Sequence, residues 1–151
     1  MRAPFGTSLL SRLRRDPRGA SAVEFALIAP MLFVLAAGAV DGSRFIIQTM
    51  QARAAAQAGA DFALRHGWDA SGIQGAVTAA TALPVTATPA PTEATGCVVS
   101  GLVANAGCPA NGPSVGTFVT VSAQNSFAPL LAWPGLPASS TINAQAEIRI
   151  P

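Results

Sequence analysis

From Ala20 to Val40 the chain runs 21 residues with a single charged side chain, Glu24, and from Phe25 to Val40 it runs 16 with none. A helix of about 20 apolar residues, rising about 1.5 Å each, crosses the hydrocarbon layer of a bilayer. A core helix of this length would carry a polar face, and the stretch from Phe25 to Val40 has none. Residues 20–41 therefore read as a transmembrane helix, and the rest of the chain has to be compatible with that. Pro30 lies inside it. A membrane helix tolerates proline where neighbouring groups satisfy the freed carbonyl.

Charge orients the span. All nine basic residues are arginine, and five of them (Arg2, Arg12, Arg14, Arg15, Arg18) precede Gly19 with one acid, Asp16. The formal +2 thus divides into +4 over residues 1–19 and −2 over the remainder, which holds four arginines and six acids. The positive-inside rule leaves the basic segment in the cytoplasm and puts everything after Asp41 outside it. Nucleic acid is not an expected partner, because the basic charge is confined to this leader and forms no folded face.

Three kinds of targeting segment share this outline. One is a secretory signal peptide, with Phe25 to Ala36 as its apolar region and Ala37-Gly38-Ala39 as a small-x-small cleavage site. Another is an uncleaved anchor. The third is a prepilin-type leader, cut before the apolar run. Glu24 discriminates among them, since a carboxylate is costly in hydrocarbon and has no use in a signal peptide. Cutting after Gly19 would make Ala20 the new N-terminus and Glu24 the fifth residue, followed by the aromatic Phe25.

The stretch RRDPRGASAVEFALIAPMLFVLAAGAVDGSRF resembles the N-terminus of the TadE-like family, minor pilins or pseudopilins of the tight-adherence (Flp, type IVb-like) pilus system. The matching residues are Arg18-Gly19, the run Ala22-Val23-Glu24-Phe25-Ala26-Leu27, Pro30, and the polar Asp41-Gly42-Ser43-Arg44 that ends the span. The tail, GTFVTVSAQNSFAPLLAWPGLPASSTINAQAEIRIP, is similar to the family's closing pattern of a strand, a proline-and-leucine loop and a last strand, although Val119-Thr120-Val121 lacks the usual tyrosine. The resemblance implies processing between Gly19 and Ala20 by a prepilin peptidase, with Glu24 and Phe25 serving assembly. It also implies the inner membrane, other pilins or pseudopilins and the Tad assembly platform as partners. The Glu24 carboxylate would then neutralise the N-terminal amine of a neighbouring subunit, because two buried charges are tolerable only as a pair. The other reading of Glu24 is a carboxylate at the headgroups, near the positive end of its own helix dipole.

Beyond the span the periodicity predicts a helical stalk and a second short helix over 42–83. Ile46, Met50, Ala54, Ala58 and Phe62 or Ala63 form the expected buried stripe, with Arg44, Gln48, Gln51 and Asp61 on the other side. Gly67 suits the position just past the helix end, after Arg65 and His66. The second helix is expected from Asp69 or Ser71 to Leu83, ended by Pro84. Residues 84–96, PVTATPAPTEATG, read as an extended or mobile linker. A small β-rich region, 97–151, follows, with strands expected at Cys97–Val103, Thr117–Ala123 and Thr141–Ile150. Ile142, Ala144, Ala146, Ile148 and Ile150 alternate with polar residues in the last of these, which predicts an antiparallel sheet with one solvated face. Between the last two strands, the apolar loop FAPLLAWPGLP, with Trp133, Leu130, Leu131 and Leu136, is expected to cover the core of the head, or else to be exposed for a partner. The whole is α+β and pilin-like: a long N-terminal helix, in and beyond the membrane, and a small head with an antiparallel sheet.

Cys97 and Cys108 are the only cysteines. Outside the cytoplasm such a pair is expected to be a structural disulfide. No metal site is expected, with His66 the sole histidine and two cysteines a poor zinc set. No phosphate loop, nucleophile elbow or ligand cluster marks an enzyme or a cofactor. The expected function is therefore non-enzymatic pilus assembly from the inner membrane, single-pass, with the C-terminal region periplasmic. A signal-anchored periplasmic or surface binding protein unrelated to pili is the alternative.

Overall fold

The computed structural model describes residues 17–99, 102–104 and 115–151, with the backbone alone for 17–20, 98–99 and 102–104. Helix α1 spans Pro17–His66 and helix α2 Ala70–Ala79. The strands are β1 (Thr92–Val99), β2 (Leu102–Ala104), β3 (Gly116–Phe127) and β4 (Ser140–Ile150). The chain divides into two compact units, one up to Gly42 and one from Ser43 to Pro151. The arrangement is α+β, a long N-terminal apolar helix followed by a small head with an antiparallel sheet.

In the first unit the side chains of α1 are almost all exposed, Phe25, Leu27 and Phe33 among them. The helix holds an apolar window of mean hydropathy 2.2, of which none is buried. A core helix of comparable hydropathy would have its apolar side chains covered, so length, composition and exposure together are those of a candidate membrane span.

In the second unit the sheet order is β2-β1-β3-β4, with every pair antiparallel. β3 and β4 pair without interruption from Thr117↔Ile150 to Phe127↔Ser140. Burial alternates along β4 as expected, with Ile142 and Ile150 buried, Ala144, Ala146 and Ile148 half-buried, and Asn143, Gln145, Glu147 and Arg149 exposed. The main core joins Ala55, Ala56, Ala60 and Ala63 of α1 to Ile73 and Val77 of α2 and to Val119, Val121 and Ala123 of β3. A smaller cluster of Ala52, Phe127 and Ile142 lies nearer the start of this unit.

The buried stripe of α1 is not the one the periodicity suggests. Ile46 and Met50 are 59% and 63% exposed and Ala54 is exposed, whereas Gln48 and Gln51 are half-buried. The cause is close approach. A Cβ on Gly59 would lie 2.6 Å from Val77 Cγ2 and 2.8 Å from Val121 Cγ1, so the helix backbone sits almost on its neighbours, and only alanine and glycine fit the seam. Gly59→Ala is therefore expected to destabilise the head by ~1–2 kcal/mol. Overpacking typically costs about 1–3 kcal/mol, and helix propensity returns about 1. Denaturant unfolding of the purified protein measures this, and an unchanged or raised midpoint would show that Val77 and Val121 yield freely.

Three boundaries also differ. α2 ends at Ala79, short of Leu83, and the Ala80 N–H closes its last turn on Val77 O at 3.4 Å. The stretch 84–96 is tied down: Val85 is buried, Thr86 exchanges two backbone hydrogen bonds with Gln124 (2.9 and 2.8 Å), and β1 begins at Thr92. The strand expected at Cys97–Val103 is two, the end of β1 and β2, paired from Cys97↔Ala104 to Val99↔Leu102. The loop after Phe127 does not close over the core. Leu130, Leu131 and Leu136 are exposed, and Trp133 is half-buried.

Candidate processing and assembly site

α1 begins at Pro17, where the fixed φ of proline suits a first helical position and its missing N–H costs no hydrogen bond. Gly19 and Ala20 follow within the backbone of that first turn. Glu24 and Phe25 come one turn later, both exposed. Ser21, Leu27 and Ile28 are the three- and four-residue neighbours of Glu24 on the helix surface. No basic residue occurs between Ala20 and Arg44. The carboxylate therefore stands at the edge of an apolar cylinder that supplies it no cation. It is suited to pairing with a positive group from outside that segment.

The far end of the span has a different character. Asp41 is buried, with 6% of its surface exposed. Arg44 lies 5.7 Å from the centre of the Phe127 ring, which also meets Phe45 edge-on at 5.4 Å. Asn125 Nδ2 donates to Gln48 Oε1 at 3.3 Å, linking β3 to α1, while Asn125 Oδ1 and Gln51 Oε1 are buried without a donor. These contacts join the first turns of the second unit to the end of β3. Sequence reasoning missed them because it placed Arg44, Gln48 and Gln51 on the solvent side.

Cys97 is fully buried at the point where β1 passes from pairing with β3 to pairing with β2. Cys108 lies outside the described residues. At the other end of the helix, Gly67 adopts φ 77° and its N–H donates to Ala63 O at 2.9 Å, the left-handed cap expected there. His66 stacks on Phe62 with ring centres 4.3 Å apart, a packing role at the helix end. Asp69 caps α2, accepting from Ser71 Oγ at 2.7 Å and Ser71 N at 3.1 Å. The Ser71 hydroxyl above all, then the Gly72 N–H, holds its carboxyl below the usual carboxylate range.

Among the described residues no three His, Cys, Asp or Glu side chains come together in a way that could hold a metal ion. A groove of about 610 Å³ between α1 and β4 is open and lined by Arg53, Gln57, Asp61 and residues 143–148, with neither histidine nor cysteine. A second, of about 620 Å³, lies at the opposite end of the sheet beside Leu64, Val115, Arg149 and Ile150. Neither groove brings together a nucleophile and a base.

Among the described residues, fold and site together define one candidate membrane helix, a carboxylate near the start of that helix, and a small α+β head. The model of one family, TadE-like protein, matches residues 19–61, the family that the N-terminal sequence resembles. The match begins at Gly19 and runs through Glu24, Pro30 and the buried alanine face. It points to involvement in the tight-adherence pilus system. No curated protein and no solved structure matches the chain.

Proposed function

We propose that this protein is a membrane-anchored minor pilin or pseudopilin, non-enzymatic, that takes part in assembling a tight-adherence pilus. The observation that carries this reading is the family match starting at Gly19 on a helix whose apolar surface is interrupted by Glu24 alone up to Val40. A prepilin peptidase cuts between Gly19 and Ala20, freeing an α-amine. The mature helix stays in the inner membrane with the head in the periplasm, and the amine of a neighbouring subunit meets Glu24. Other pilins or pseudopilins and the assembly platform are the partners, and Phe25 packs beside the pair. Outside the cytoplasm Cys97 and Cys108 form a disulfide that closes the segment between β1 and β3. The burial of Cys97 supports this.

N-terminal sequencing of protein extracted from membranes tests the processing step. A chain beginning at Ala20 is the expected result. A start at Val40 would identify a secretory signal and end the pilin reading, and an intact Met1 or Arg2 would leave a plain anchor.

A further inference from the structure

We infer that the outer edge of β4 and one exposed stripe of α1 form a self-complementary face, which pairs with the same face of a second copy of this chain about a two-fold axis. The face lies wholly within the second unit, and the inference does not depend on the pilus reading.

β4 ends the sheet, and among the described residues no strand pairs with its outer edge. Gln124 exchanges both backbone hydrogen bonds with Thr86, at 2.9 and 2.8 Å, so its N–H and C=O point away from β4. Asn143, opposite Gln124, therefore points its own N–H and C=O outward, and by alternation so do Gln145 and Glu147. An open edge is a template for another strand unless a proline, a bulge or an inward-pointing charge blunts it. β4 has no proline from Ser140 to Ile150, and its register with β3 is unbroken. Its core-facing side chains from Ile142 to Ile150 are all apolar.

Beside this edge α1 carries a second pattern. Ile46, Met50, Arg53, Gln57, Asp61 and Leu64 are exposed and recur every three or four residues, and the exposed Trp68 follows the helix end. At the helical pitch the six share about 80° of the surface. The stripe is symmetric about Gln57: two apolar residues, a charge, Gln57, the opposite charge, two apolar residues. Arg53, Gln57 and Asp61 line the open groove along residues 143–148 of β4. Ala52 clusters with Ile142, and Leu64 shares a groove with Ile150, so helix and strand run the same way. Gln57 thus stands near the level of Gln145.

A two-fold axis normal to the sheet at that level satisfies both elements together. β4 meets its copy antiparallel, with Gln145 on the axis, Asn143 opposite the partner's Glu147 and Ile142 opposite the partner's Ile148. No like charges oppose each other. α1 also lies antiparallel to its copy, with Arg53 facing the partner's Asp61 and Met50 the partner's Leu64. The spacing allows this. Gly59 sits against Val121 of β3, one strand in from the edge, so two copies of α1 lie about 14 Å apart, three strand spacings. A helix with its side chains is about 10–12 Å across, so the backbones clear each other and long side chains bridge the gap. A second copy is the occupant because charge and hydrophobicity invert about the same point in the helix and the strand. The closed pair also uses up both edges, which leaves none to propagate.

Disulfide cross-linking of the full-length protein in detergent tests the register, with the native chain as the blank. Gln145→Cys places two thiols on the axis, with Cα atoms about 5.5 Å apart across a hydrogen-bonded antiparallel pair, within disulfide reach. Copper phenanthroline is expected to convert most of this variant to a covalent dimer. Thr141→Cys thiols would lie about 26 Å apart, eight strand residues, and are expected not to link. A mixture of Asn143→Cys and Glu147→Cys chains is expected to link, an independent readout of the same register. Arg53→Asp sets like charges opposite each other twice and is expected to lower linking through Gln145→Cys at least threefold, and adding Asp61→Arg is expected to restore it. No linking at either the axis or the mixed pair, equal linking through Thr141→Cys, or a double reversal that restores nothing would each overturn the inference.

Discussion

Glu24→Gln protein is expected to reach the membrane at the normal level, to be cut at the normal site, and to leave the cell without pili. Glutamine keeps the shape of the side chain and removes its charge. Insertion is unaffected or slightly improved, because an ionisable group has left a segment bound for hydrocarbon. The α-amine of the neighbouring subunit, however, loses its counter-charge inside an apolar environment, and an uncompensated buried charge costs about 3–5 kcal/mol. A penalty of that size, repeated at every subunit, exceeds what a weak helix contact supplies. The measurement scores membrane level, N-terminal sequence and piliation separately in cells carrying only the variant. Normal piliation would sink the pairing mechanism and leave Glu24 as a carboxylate at the headgroups.

Cys97→Ser is the second large effect. Ten residues separate Cys97 from Cys108, and closing a loop of this size restricts the unfolded chain by about 3 kcal/mol. Cys97 is fully buried where the ladder changes partner, so its loss should unfasten β2 and the following segment first. Thermal unfolding of the purified protein should fall by about 10 °C or more, since each 1 kcal/mol moves a midpoint by roughly 4 °C in a domain of this size. Reductant should produce a similar fall in the native protein and none in the variant. Alkylation of both thiols in unreduced protein, or a midpoint insensitive to reductant, would refute the disulfide.

The long apolar helix and its carboxylate were legible from the residues alone because the signal is long: a candidate span carries one requirement at every position from Phe25 to Val40. β4 was legible for a related reason, since strict alternation over nine residues admits one pairing face. The seam of α1 was not. Ile46, Met50 and Ala54 recur at helical spacing, and so do the buried Ala52, Ala56 and Ala60. The two sets are offset by two residues, about 200° around the helix. Periodicity finds both stripes and ranks them by hydrophobicity, whereas close approach ranks them by size. The start of β1 was hidden by the prolines before it, although Thr92 and Thr95 carry the branched side chains of a strand. The exposed loop was ambiguous because Leu130, Trp133 and Leu136 read the same whether they cover a core or are exposed for a partner. Of the proposed site, Gly19, Ala20, Glu24 and Phe25 were visible as a motif, since their meaning lies in spacing from a cut rather than in tertiary contacts.

The closeness of Gly59 to Val77 and Val121 makes the helix–sheet seam a volume filter. On that side of α1, admissible side chains are set by how far they protrude, and polarity is secondary. A buried serine can return its hydroxyl to the preceding turn, but a leucine has nowhere to go. The rule reverses on the opposite side, where bulk is unrestricted. α1 thus joins the rest of the head through its smallest apolar residues, and its large ones at Ile46, Ile47 and Met50 remain for whatever lies outside it.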